Sequence, residues 1–148
     1  MAGNLKKLEE KRRRAQLIGD LLDQQYPDAK CALNYETPEQ LLFATILSAQ
    51  CTDVRVNMTT PALFKKFPGS KELARAKEAQ VERLIKSINF YKTKAKSLIK
   101  ASQMIQDEFG GKIPRNIDEM IKLPGVGRKT ANVVLGDAFQ QPHGVVVD

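Results

Sequence analysis

The run Leu41-Leu-Phe-Ala-Thr-Ile-Leu-Ser-Ala49 constrains this chain most. Its apolar residues fall on nearly every face of a helix, so no face is left for water. Such a helix belongs inside a domain, with other elements packed around it. Its start is written just upstream. Thr37 can cap, Pro38 fits the first turn, and Gln40 can complete a capping box. At 148 residues the chain suits one domain with a real core, or one domain plus part of another.

Nothing reads as a strand, and the periodicity is helical almost throughout, so the fold class expected is all-α. Leu5, Leu8, Ala15, Ile18, Leu21 and Leu22 form a stripe on a highly charged N-terminal segment. Thr52 or Asp53 can cap a helix that ends near Phe67-Pro68-Gly69, and Ser70 begins a short one. Val81, Leu84, Ile85 and Ile88 carry another, interrupted by Asn89-Phe90-Tyr91. A long helix follows through Ala95, Leu98, Ile99, Ile105 and Phe109, stopped by Gly110-Gly111. Asn116 to Glu119 is a second capping box, and Arg128 to Leu135 is helical again. The end, Gly144-Val-Val-Val-Asp148, reads as extended.

No apolar run approaches the ~20 residues of a membrane span. The N-terminus is basic, with no secretory apolar stretch behind it, so a cytoplasmic protein is expected. Cys31 and Cys51 could form one disulfide. Cys51, however, lies in an apolar helical run, where a small buried hydrophobe is the simpler reading. The pair cannot make a zinc site or hold an iron–sulfur cluster. Formal charge is +7, from 24 basic and 17 acidic residues, which suits a polyanionic partner. Between Val81 and Lys100 stand Arg83, Lys86, Lys92, Lys94, Lys96 and Lys100 against Glu82 alone. Composition leaves two readings of that stretch open, a nucleic-acid face and a solvated helix face.

The element that carries chemistry is Leu123-Pro-Gly-Val-Gly127 between two helices. Pro124 stops the first helix, and Gly125 and Gly127 allow a tight turn and close approach to another surface. The second helix then offers unbonded backbone N–H groups and its positive dipole end, with Arg128 and Lys129 beside them. That geometry grips a phosphate backbone without reading sequence. A Cβ at either glycine should push the loop off that backbone. Pro-Gly-x-Gly alone also fits a plain helical corner.

The longer string is more specific. Leu123-Pro-Gly-Val-Gly-Arg-Lys-Thr-Ala-Asn-Val-Val134, followed by Val147-Asp148, resembles the helix–hairpin–helix and aspartate signature of the endonuclease III family. Leu47-Ser-Ala-Gln-Cys-Thr-Asp-Val-Arg-Val-Asn57 resembles the family's early helix and lesion-side loop. The likeness runs from about Ala15 to the end.

The resemblance implies base-excision repair by a DNA glycosylase with AP-lyase activity, acting on damaged bases, oxidised pyrimidines above all, or on abasic sites in double-stranded DNA. It makes Lys129 the nucleophile, with the helix N-terminus, Arg128 and partial desolvation favouring the neutral amine. Asp148 takes a proton from the lysine and stabilises charge on the sugar. Leu123, Gly125, Val126, Gly127, Arg128 and Thr130 would hold the DNA backbone. Gln50 would fill the gap left by a flipped nucleotide, and Phe90 would act as wedge. Without the resemblance, Phe90 could equally be a core aromatic and Gln50 a helix-end residue.

The family fold implies a six-helix domain over 30–141 and a linker, 142–148, carrying Asp148. Residues 1–29 supply an N-terminal helix to a second, incomplete domain. A full-length relative is expected to hold a [4Fe-4S] cluster there; its cysteines are absent from this chain. The expectation is a C-terminally truncated, monomeric chain, nucleoid-associated if bacterial, that carries no metal, binds DNA weakly and cleaves slowly. The alternatives are a non-catalytic helix–hairpin–helix DNA-binding module and a glycosylase without lyase activity. Lys129 argues against the last, whose representatives lack that lysine.

Overall fold

The computed structural model describes residues 2–144 and residue 146. All regular structure among them is helical, in the order α1 (Ala2–Gln25), α2 (Pro38–Ser48), α3 (Asp53–Lys66), α4 (Ser70–Leu73), α5 (Glu78–Leu84), α6 (Tyr91–Glu108), α7 (Ile117–Met120) and α8 (Arg128–Asp137). The chain divides into two units, Met1–Cys31 and Ala32–Asp148. In the first unit α1 is a single helix that leaves Leu5, Leu8, Ile18, Leu21 and Leu22 exposed.

The second unit is built around α2. Leu41, Leu42, Phe43 and Ala44 have no exposed surface, and Leu47 has none either. Helices α3, α6 and α8 all pack against it, as an all-round apolar helix requires. Both expected N-caps form. Gln40 N–H donates to Thr37 Oγ1 (3.2 Å) and Glu119 N–H to Asn116 Oδ1 (2.9 Å). The Gln40 side chain reaches back one residue further than the usual box, accepting from Glu36 N–H at 2.9 Å. Glu39 ties the start of α2 to α4, accepting from Ser70 N–H (2.8 Å) and Ser70 Oγ (2.9 Å). The double glycine after α6 adopts left-handed backbone, with φ +59 at Gly110 and +77 at Gly111, and ends that helix.

Two local readings differ from the sequence expectation. Cys51 is not in a helix; it lies in the turn between α2 and α3, half-buried, and no disulfide joins it to Cys31. Lys94, counted with the basic stretch, is buried and contributes nothing to a charged surface.

Candidate nucleic-acid interface

Two structures on the second unit concern the predicted site. The first is the hairpin between α7 and α8. Leu123 and Val126 are 1% and 7% exposed, and Val126 N–H donates to Leu123 O at 3.0 Å. Their side chains belong to the core, so what these two residues can offer a ligand is backbone.

The two glycines do different work. Gly125 has φ +82, and a Cβ there would lie 2.9 Å from Ser97 Cβ on α6 and 3.3 Å from Ile46 Cγ2 on α2. This glycine seats the hairpin on the core. A side chain would unseat it from the inside, not push it off an outside surface as expected from sequence. Gly127 is the reverse case. It is the N-cap of α8, it is exposed, and a Cβ there would meet nothing within 4 Å.

Beyond Gly127 the first turn of α8 presents Arg128 and Lys129, both exposed, and Thr130, half-buried. N–H groups in such a turn have no helical carbonyl to bond, and no side chain caps this one. Lys129 thus stands at the start of α8, as a residue with exposed surface. Asp148 lies outside the described residues. The segment leading toward it passes close to α8: a Cβ on Gly144 would stand 3.3 Å from Asn132 Nδ2. Asn132 Oδ1 is buried there with no hydrogen-bond partner among the described residues.

The second structure joins two turns, one after α2 and one before α6. At their tips Gln50 (φ +53) and Phe90 (φ +57) adopt left-handed backbone, which a residue with a side chain rarely takes. Both are exposed, Phe90 by 66%, so it is a projecting aromatic and no part of the core. Asn89 Nδ2 donates to Gln50 O at 2.7 Å. A recess of about 330 Å³ lies here, lined by Gln50, Cys51, Thr52, Arg55 and Asn89.

Lys94 completes this region, and sequence reasoning missed it. Its Nζ donates to Leu47 O (2.8 Å) and Ala49 O (2.6 Å) at the C-terminal end of α2. Burial pushes its pKa below the ordinary lysine value, while Cys51 pulls it the other way. A signal was available. Lys94, Leu98, Ala101 and Ile105 recur at helical spacing, and all four are buried.

Comparisons with known proteins identify the family. The family model described as HhH-GPD superfamily base excision DNA repair protein matches residues 43–148. An endonuclease III of Synechocystis sp. is 49% identical over 148 residues, covering 100% of this chain and 68% of that protein. The chain belongs to the endonuclease III family. The Bacillus subtilis endonuclease III is 45% identical over 131 residues, 88% of this chain and 58% of its own length. A solved endonuclease III–DNA covalent intermediate, trapped with an estranged adenine, matches with a TM-score of 0.84 at 41% identity. That match covers 92% of this chain and 63% of the solved one. The chain thus spans roughly three-fifths to two-thirds of the length of these family members.

Two cysteines cannot supply the four thiolates of a [4Fe-4S] cluster, and the described residues contain no grouping of three His, Cys, Asp or Glu that could hold a metal ion. The residues present do not fit that group. No described helix is long and apolar enough to cross a membrane.

Proposed function

We propose that this chain engages double-stranded DNA as a bifunctional glycosylase and AP lyase, removing damaged bases, oxidised pyrimidines above all. The observation that carries the proposal is a lysine, Lys129, exposed on the first turn of α8 directly after a hairpin whose second glycine faces open space. The identity shared with endonuclease III relatives supports it.

In this reading the hairpin holds one DNA backbone through the N–H groups at the start of α8, with Gly125, Gly127, Arg128 and Thr130 around them. A nucleotide leaves the stack, Gln50 occupies the space opposite its partner, and Phe90 wedges the step. DNA closing over Lys129 desolvates it, which favours the neutral amine. Asp148 takes a proton from the lysine, and the neutral amine attacks C1′. The nitrogen–C1′ bond forms as the C1′–base bond breaks, and the base departs with a proton. Ring opening gives a Schiff base, which acidifies the C2′ hydrogen. Loss of that proton expels the 3′ phosphate and cuts the strand.

We assign 30–141 to the glycosylase domain, 142–148 to the linker bearing Asp148, and 1–29 to a helix of a second domain. The place of action is the DNA of the cytoplasm, and the working form is a monomer.

The experiment is borohydride trapping on DNA with an abasic site. A covalent adduct forms with this chain if Lys129 makes an imine. A chain that binds abasic DNA with no trappable adduct fits the non-catalytic module instead.

A further inference from the structure

Gln50 and Phe90 present a physical problem. Each is a non-glycine residue in left-handed backbone at an exposed tip, and such conformations persist only where the surroundings over-determine them. Neither tip is held by its own burial. What holds them comes from the start of α6. Lys94 N–H donates to Phe90 O at 3.0 Å, fixing one turn. Lys94 Nζ donates to Leu47 O and Ala49 O, fixing the residues just before Gln50. Asn89 Nδ2 bridges directly to Gln50 O. The Gln50 turn has one backbone bond beside these, Cys51 N–H to Ser48 O at 2.9 Å.

A buried ammonium is expensive, and an apolar chain could fill the same space. That chain would leave the last carbonyls of α2 without donors, since helix geometry gives them none. A cation there also complements the negative end of the α2 dipole. The lysine is thus placed where one side chain and its own amide can join two separate turns.

We propose that Lys94 is a positioning residue which, with Asn89, locks the Gln50 and Phe90 turns into one rigid two-pronged unit for entering damaged duplex DNA. The proposal rests on the endonuclease III reading for what the prongs enter, but the lock itself does not. It touches no reacting atom. Its work is done before DNA arrives, by removing the cost of ordering both prongs at the moment of insertion.

Two readouts test it on the whole chain. The first is hydrogen exchange at the Cys51 amide, with no DNA present. Losing the two charge-assisted bonds in Lys94→Met should speed that exchange about tenfold to a hundredfold, and losing one neutral bond in Asn89→Ala about threefold to tenfold. Amides in the middle of α8 should keep their rates. Asn89 is exposed, so its variant folds even if Lys94→Met does not. The second readout is the ratio of affinities for a duplex containing a tetrahydrofuran abasic analogue and the same duplex undamaged. That ratio should fall about tenfold in Lys94→Met and about threefold in Asn89→Ala, because the hairpin still carries sequence-blind binding. Unchanged exchange at Cys51 in Asn89→Ala overturns the lock. Faster exchange with an unchanged affinity ratio overturns its role in lesion engagement. An unmodified chain that shows no preference for the abasic analogue refutes the endonuclease III reading itself, while the exchange result still decides the lock.

Discussion

Lys129 and Lys94 each stand in the opening turns of a helix, α8 and α6, and the fold sends them opposite ways. The hairpin before α8 is made of glycines and buried apolar residues, and the first turn it leads into carries Lys129 at an exposed position. The start of α6 has Lys94 on the same face as Leu98, Ala101 and Ile105, so its stem runs inward and its ammonium ends on the carbonyls of α2. One amine stands at an exposed position; the other is committed to architecture. A lysine's role here follows from which helix face it occupies and what stands at the end of its reach, not from charge.

The sharpest test of that contrast is Lys129→Ala. It should lower borohydride trapping on abasic DNA about a thousandfold or more, while most DNA affinity survives because many other cations remain. Undiminished trapping would mean that another amine does the chemistry, and the contrast would collapse.

The two hairpin glycines come next. Gly125→Ala must accept φ +82 and a contact of 2.9 Å with Ser97. It should destabilise the fold by about 1–3 kcal/mol, read as a lowered urea midpoint. Gly127→Ala should leave that midpoint nearly unchanged yet weaken binding to damaged and undamaged DNA alike, since its Cβ enters the open space before the phosphate grip. Equal stability losses in both would show that the hairpin has no inner and outer glycine.

A smaller effect is expected at the prongs. Phe90→Ala and Gln50→Ala should slow single-turnover excision on a duplex about threefold to thirtyfold more than on an already unpaired lesion. Equal losses on both substrates would indicate packing defects.

The smallest effect concerns pH. Burial sets the folded pKa of Lys94 below its unfolded value of 10.5, so between those two values the unfolded chain binds more protons than the folded one. Stability contributed by this group therefore rises with pH across that window, and the penalty for burying the charge is fully present below the folded pKa. The stability gap between the unmodified chain and Lys94→Met should widen from about pH 7 to about pH 10 in urea titrations. A gap that narrows would show that the ammonium is better solvated by its two carbonyls than by water.

Much of this was legible in the chain itself. Leu41 to Ala49 announced a buried central helix, Thr37 and Asn116 announced helix starts, and Gly110-Gly111 announced a stop, because capping, periodicity and left-handed backbone are decided within a few residues. The string from Leu123 to Val134 was enough to name a family. What the sequence did not carry was direction. It grouped Gly125 with Gly127, but one faces Ser97 and Ile46 and the other faces open space. It grouped Lys94 with Lys92 and Lys96 as basic surface; its helical register with Leu98, Ala101 and Ile105 hinted at a buried face, but only the packing of α6 against α2 supplied the carbonyls that receive it. It left Phe90 free to be core or wedge until the turn before α6 exposed it. Local sequence sets which conformations a segment can adopt, since those depend on neighbouring atoms. Which face of a segment meets the core depends on atoms forty or more residues away, such as the carbonyls of Leu47 and Ala49 that receive Lys94.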